Sequence, residues 1–238
     1  MIAHTTALVK VDMHSFLVYN GCMKYDTVIF DLDGTLLDTL DDLRDAVNHA
    51  MRDFGLPEAT HDEMRARLGN GSGYLIAHCV PGGREFPQYQ EVFDDYLSYY
   101  EAHSRIKTAP YPGIMELLEE LKAAGIKCAI VSNKPNTAAV QLARDFFSGY
   151  VLTAVGERPG VRRKPAPDTV LAAMAELGSA PESTVYVGDS EVDIDTAAAA
   201  GIDCISVTWG FRTREQLVES GAAVLVDDAA GLRGAIMG

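Results

Sequence analysis

The sequence predicts an α/β fold: an open parallel sheet with helices on both faces, interrupted after its first strand by an inserted helical segment. Three observations point there. From Tyr25 onward short apolar runs alternate with amphipathic helical periods. Those runs are apolar at nearly every position, as strands buried on both faces are, whereas a half-exposed strand alternates apolar and polar residues. The alternation stops between residues 39 and 107, where helical patterns follow one another with no convincing strand.

In chain order, residues 1–22 mix His, Thr and Lys without periodicity and read as an N-terminal extension of uncertain origin, with Met23 an equally good natural start. The first strand is TVIF (27–30). Helical stretches TLDDLRDAVNHAMRDFG, DEMRARL and YQEVFDDYLSYYEAHSR then follow, and the proline- and glycine-rich TAPYPG marks the linker back. After it come helix GIMELLEELKAAG, strand KCAIVS, helix NTAAVQLARDFF, strand YVLTAV, helix DTVLAAMAELG, strand STVYVG, helix EVDIDTAAAAG and strand DCISVT. The expected organisation is an α/β core from residues 23–38 and 108–238 and a helical cap from residues 39–107.

Composition narrows the function. A formal charge of −14 repels the phosphate backbone, and no basic stripe interleaved with aromatics offsets it, so nucleic acid is excluded as a partner. A small phosphate ester stays compatible, because one metal ion and one lysine can reverse the potential inside a single pocket. Cys22, Cys79, Cys128 and Cys204 form neither a CxxC pair nor a disulfide framework, which fits a reducing compartment. The longest uncharged N-terminal stretch, SFLVYNGC, is too short to span a membrane and carries no secretory cleavage pattern; a cytoplasmic protein is expected.

In open parallel sheets ligands gather at the carboxyl ends of the strands. Four such positions carry polar residues: Asp31 and Asp33 after TVIF, Ser132 and Asn133 after KCAIV, Lys164 before the helix near Pro167, and Asp189 and Asp193 after TVYVG. Together they offer several carboxylates, one ammonium and one hydroxyl, a set that a metal and a phosphate could share. His49, His61, His78 and His103 do not fall at strand ends beside an acid, and Tyr96, Tyr99 and Tyr100 read as a helix face packing within the insertion. Trp209 reads as core packing or as a border of the pocket.

The motifs DLDGTLLD (31–38), SNKP (132–135), RKPAPD around Lys164 and GDSEVD (188–193) stand in one order at successive strand ends. In this the chain resembles the haloacid dehalogenase superfamily, with its Rossmann-like core, and within it the phosphoglycolate phosphatase-like group. The resemblance implies a phosphatase acting on a small phosphorylated metabolite, phosphoglycolate or similar. It implies Asp31 as nucleophile forming an aspartyl-phosphate, Asp33 as general acid and base, and Mg²⁺ held by Asp31, Asp189 and the Asp33 carbonyl. Ser132, Asn133 and Lys164 would hold the phosphoryl oxygens, and Asp193 would orient Lys164 or metal-bound water while also serving as a first-turn acid. Gly34 and Thr35 would allow the tight turn into the linker. Gly69, Asn70, Gly71 and Ser72 would form the substrate-specificity loop, and Arg65, Arg67 and Arg84 are candidate carboxylate partners, with His78 standing where the family often has a basic residue.

Related chemistries fit less well. Dehalogenation needs no acid two residues after the nucleophile, and a Schiff-base mechanism would need a cap lysine, of which residues 39–106 have none. A sugar-phosphate mutase of the β-phosphoglucomutase type shares the core motifs but relies on basic cap residues, whereas GNGSG is uncharged. An inactive regulatory homologue would not need Asp31, Asp33, Lys164 and Asp189 all intact. No motif bears on oligomeric state.

Overall fold

The computed structural model describes residues 24–238; the expected extension at residues 1–22 and the alternative start at Met23 lie outside the described residues. Strand β1 (Thr27–Phe30) is followed by the two-residue β2 (Leu37–Asp38), then helices α1 (Leu40–Asp53), α2 (His61–Arg67), α3 (Ser72–Ala77) and α4 (Tyr89–His103). The chain returns through β3 (Ala109–Pro110) and continues as α5 (Ile114–Ala123), β4 (Lys127–Pro135), α6 (Asn136–Phe147), β5 (Thr153–Glu157), α7 (Asp168–Leu177) and β6 (Thr184–Gly188). It ends with α8 (Glu191–Ala200), β7 (Asp203–Val207), α9 (Arg214–Glu219), β8 (Leu225–Val226) and α10 (Ala229–Met237).

Six strands form one sheet in the order β5-β4-β1-β6-β7-β8, parallel throughout. The period-two geometry of β1 divides its side chains between two cores. Val28 and Phe30 pack with Leu117 and Leu121 of α5, Leu142 of α6 and Leu232 of α10, while Ile29 packs with Val170 and Met174 of α7 and Ala197 of α8. That two-sided burial is why these strands carry no polar face. Strand order reverses at β1, so the crevice beyond its carboxyl end, between β4 and β6, is where such a sheet places a ligand.

Helices α1–α4 have an apolar cluster of their own. Leu40, Leu43, Val47, Ala50 and Met51 repeat at helical spacing on α1 and meet Met64, Leu75, Val92, Tyr96 and Tyr100 from the other three helices. Thr60 and Glu63 close a reciprocal capping box that starts α2. Buried Asn48 of α1 bonds both backbone groups of Ala59 and so fixes the connection between α1 and α2.

The structure adds elements that sequence patterns did not show. The stretches leaving and re-entering the sheet pair with each other as an antiparallel ribbon, Leu37 opposite Pro110 and Asp38 opposite Ala109. The third long strand, β5, starts at Thr153, not at Tyr150, because Leu152 points outward and is 67% exposed. Ser72, expected in a loop, begins α3. Nothing in their short patterns announced α9, β8 and α10, which complete the sheet edge.

Beside the ribbon sits a buried carboxylate that joins the two crossings. Asp42, in the first turn of α1, accepts hydrogen bonds from the backbone N–H groups of Ile106, Lys107 and Thr108 at 2.9–3.1 Å and from Thr108 Oγ1 at 2.8 Å. Replacing it leaves the two buried donors of Thr108 and two partly buried backbone N–H groups without their acceptor. We expect Asp42→Ala to lower unfolding free energy by about 2 to 4 kcal/mol, read as a fall in the urea midpoint at unchanged slope.

Candidate active site

β1 runs directly into Asp31, whose N–H is held by Val187 O of β6 at 2.8 Å, so the carboxylate stands between the ends of two central strands. It is 6% exposed. Lys164 approaches it from the β5–α7 connection, its Nζ 2.9 Å from Asp31 Oδ1, 2.8 Å from Asp193 Oδ1 and 3.0 Å from the Tyr186 hydroxyl. Tyr186 in turn donates to Val131 O, so the ammonium is fixed by a carboxylate on either side and a phenol behind it. Asp193 is fully enclosed. Its Oδ2 accepts from Ser190 Oγ and from the N–H groups of Asp189 and Ser190, the reciprocal cap that opens α8.

Asp189 follows β6 and accepts from the Phe211 N–H at 2.7 Å and from Thr35 Oγ1 at 3.1 Å. Its neighbour Gly34 has φ near +87°, and a Cβ there would stand 2.5 Å from Asp189 Oδ2. Only glycine lets the turn after Asp33 come this close to the second strand's acid.

The structure therefore brings Asp31, Asp189 and Asp193 together, with one ligand oxygen from each within 4.8 Å of the others and all three buried. Lys164 is the one ammonium among them, so negative charge is left over. Asp31 Oδ1 lies in ionic contact with Lys164, yet no hydrogen-bond donor with suitable angles reaches it. Burial raises the Asp31 carboxyl well above the usual carboxylate range, Lys164 opposing and the neighbouring acids adding to the rise. Burial, reinforced by Asp193, likewise pushes Asp189 up to about 7. A buried excess of carboxylate with an oxygen short of a partner is a donor set that fits a hard divalent cation.

Ser132 and Asn133 lie near the end of β4, both buried. Ser132 Oγ is 3.5 Å from Asp33 Oδ2 and accepts from the Lys134 N–H, while the Asn133 amide donates to Gly69 O at 3.1 Å and to Lys164 O at 3.2 Å. Asp33 does not join the acid cluster; its carboxylate turns to Lys134, with Nζ 2.9 Å from Oδ1. A cavity of about 40 Å³ remains between these groups and the helical layer, lined by Asp31, Asp33, Ser132 and Lys134 on one side and by Leu43, Gly71, Ser72 and Tyr96 on the other. Phe211 closes it.

Gly69 and Gly71 line this cavity with Ser72. At Gly71, with φ near +80°, a Cβ would lie 3.0 Å from Asn133 O. Asn70 is not among the lining residues. Arg67 pairs with Glu63, Arg84 lies over the Tyr89 ring and His78 stacks on Tyr74, and neither they nor Arg65 line the cavity. Trp209 packs against the core and donates to Thr35 O, outside the cavity.

Several residues at the site had no role in the sequence reading. Lys134 sits inside SNKP, and its position one residue past the Ser-Asn pair was the available signal. Tyr100 and Tyr96 are not merely helix packing: Tyr96 lines the cavity and the Tyr100 hydroxyl accepts from Lys134 Nζ at 2.8 Å. Only Tyr99 stays within the helical layer, stacked between His49 and His103. Glu191, expected as a plain first-turn acid, is bound by both Nε and Nη2 of the buried Arg212, which also donates to Arg65 O and Leu68 O. No local pattern foretold that guanidinium.

A parallel sheet with a cation-ready acid cluster and a fixed ammonium at its switch point defines an α/β enzyme built to handle an anionic group. The chain belongs to the haloacid dehalogenase-like hydrolase family, whose model matches residues 28–207. It is 32% identical over 207 residues to phosphoglycolate phosphatase 1 of Pseudomonas aeruginosa, covering 84% of this chain and 76% of that one. A solved structure from Lactobacillus delbrueckii subsp. bulgaricus, provisionally described as a phosphoglycolate phosphatase, superposes with a TM-score of 0.86 at 37% identity, over 91% of this chain and all of that one. CbbY of Rhodobacter sphaeroides, solved in complex with phosphate, gives 0.74 at 27% identity over 87% and 96% of the two chains. Among the described residues no helix is long and apolar enough to cross a membrane.

The raised Asp189 carboxyl has a consequence for stability. With a folded value near 7 and an unfolded value near 4, the metal-free native state holds a proton that the unfolded chain has lost between those limits. Stability of the stripped protein should therefore decline as pH rises from about 4 to about 7. Melts of the metal-free protein should show that decline in the wild type and a shallower one in Asp189→Asn; equal slopes would contradict it.

Proposed function

We propose that this protein is a divalent-cation-dependent phosphatase, with Mg²⁺ the expected ion, which hydrolyses a small phosphate monoester such as phosphoglycolate through an aspartyl-phosphate on Asp31. The observation that carries the reading is Asp31 itself: a carboxylate buried at the switch point, faced by Lys164 and open to a small cavity. The names of its relatives give the substrate class.

In this reading Asp31 and Asp189 supply carboxylate oxygens to the ion and the Asp33 backbone carbonyl a third. The ion, when bound, screens the charge between the nucleophile and the incoming phosphoryl group. Asp31 attacks phosphorus in line, and the leaving oxygen takes a proton from Asp33. Asp33 then takes a proton from the water that attacks the phosphorus of the aspartyl-phosphate, returning Asp31 and releasing phosphate. Lys164 and Ser132 contact the equatorial oxygens, where charge accumulates as the bond to the leaving group breaks. The Asn133 N–H serves the same oxygens, and its side chain joins Gly69 to the Lys164 loop. Asp193 holds Lys164 on axis and is too fully engaged to be a ligand of first choice.

Residues 39–107 act as a cap. A cavity of about 40 Å³ holds little more than a water molecule, so a phosphate ester enters only when the helical layer lifts. With the layer down, Gly71 and Ser72 bound the substrate and exclude bulk water. Hydrolysis is preferred over phosphate transfer between sugar positions because no basic side chain from the 69–73 loop faces the cavity. The cysteine pattern also fits a cytoplasmic enzyme.

Phosphate release from phosphoglycolate should disappear on metal stripping with EDTA and return with Mg²⁺. Asp31→Asn should lose at least about a hundredfold in kcat, roughly 2.7 kcal/mol, with an unchanged circular dichroism spectrum; activity within tenfold of wild type would remove Asp31 as nucleophile. Gly71→Leu, forced into a positive φ against Asn133 O, should lower kcat/KM on phosphoglycolate more than on acetyl phosphate.

A further inference from the structure

Lys134 is a buried ammonium, 6% exposed, that touches Asp33 at 2.9 Å and the Tyr100 hydroxyl at 2.8 Å. Those partners belong to different parts of the molecule: Asp33 to the turn after the first strand of the sheet, Tyr100 to the last helix of the α-helical layer. Lys134 itself is on β4. The three residues thus form a chain from the helical layer through the sheet to the side chain proposed as acid and base.

We infer that Lys134 is a positioning residue for Asp33, and that Tyr100 makes this positioning conditional on the helical layer being seated. The inference rests on Asp33 acting as the proton donor to the leaving group. Three features carry it. Both oxygens of the Asp33 carboxylate face side chains, Oδ1 through its ionic contact with Lys134 and Oδ2, more loosely, through Ser132 Oγ at 3.5 Å. Lys134 has no other acidic partner among the described residues. Tyr100 is almost wholly buried, and its ring centroid lies 4.6 Å from the ammonium, so the lysine is braced by the hydroxyl and by the aromatic face together.

Geometry then gives the sequence of events. When the layer lifts to admit substrate, Tyr100 leaves with α4 and Lys134 keeps its charge but loses its brace. The Asp33 carboxylate can then turn away from the reacting centre. When the layer settles, Tyr100 restores the lysine, and the carboxylate is presented to the leaving oxygen only at the moment the cavity is closed. A proton donor aligned only in the closed state matters most for alcohols that leave poorly without protonation, and little for groups that leave easily.

Single-turnover release of the leaving group separates this role from a general structural one. The substrates are p-nitrophenyl phosphate, whose phenol needs little protonation, and glycerol 3-phosphate, whose alcohol needs much. Tyr100→Phe keeps the charge of Lys134 and removes only the hydroxyl brace; Lys134→Met removes the charge at similar volume. Expected are a loss of about fivefold for Tyr100→Phe and thirtyfold or more for Lys134→Met on glycerol 3-phosphate, with less than a threefold change for both on p-nitrophenyl phosphate. Equal losses on the two substrates, or no loss in Tyr100→Phe, would overturn the inference while leaving the phosphatase reading intact. A wild-type protein that releases a leaving group from neither of these substrates nor from phosphoglycolate would overturn both.

Discussion

The molecule is organised around a charge that is hard to bury. Lys164 is 2% exposed and sits between Asp31 and Asp193, with Tyr186 completing its shell. An ammonium taken out of water costs several kcal/mol unless its partners are fixed, and here each partner is fixed by a different part of the sheet. Asp31 is set by β1, Asp193 by the cap of α8 and Tyr186 by β6 through Val131 of β4. The ion pair thus ties together the ends of three central strands. The third acid, Asp189, makes the arrangement incomplete in charge and so receptive to a cation.

The helical layer is joined to this centre by polar contacts that its own apolar cluster does not supply. Arg212 reaches from the segment after β7 to the carbonyls of Arg65 and Leu68, Asn133 reaches from β4 to Gly69, and Lys134 reaches Tyr100. All three donors lie on the sheet side, and two of them, Arg212 and Asn133, donate to backbone carbonyls at the end of α2 and in the α2–α3 connection. Such contacts favour one seated position but leave little apolar surface to separate, unlike a hydrophobic interface. Among the described residues only Phe211 crosses from the sheet side into the buried apolar cluster of the helices.

Much of this was legible in the residue order. Strands of continuous apolar character can only be two-sided, so β1, β4, β6 and β7 and the helices between them followed from pattern alone. The site aspartates were found because strand ends of a parallel sheet are the one place where acids gather without local purpose. What could not be read depended on distance along the chain. The β2–β3 ribbon is two residues per strand and has no periodicity to detect. Asp42 looks like any first-turn acid, yet its donors lie more than sixty residues away. Arg212 and Tyr100 gain their meaning from partners on another layer, and a helical period reports only that Tyr96, Tyr99 and Tyr100 share a region of surface. The apolar Val151 and Leu152 extend the pattern of the third long strand back toward Tyr150, although Leu152 faces solvent.

The β2–β3 ribbon fixes the kind of movement available to the helices between its strands. Leaving and returning backbones run side by side, in register, with Asp42 fastening the return to the start of α1. For the lifting proposed above, two adjacent crossings would act as a hinge pin, permitting rotation about one axis and resisting sliding or twisting. Four helices and about seventy residues of chain are in that sense reduced to a single angular coordinate. The same closeness makes the segment a cassette, because bringing its two ends together demands almost no loop-closure entropy from the sheet beneath. A different set of helices could be carried on the same ribbon while the strand ends kept their acids, their lysine and their geometry.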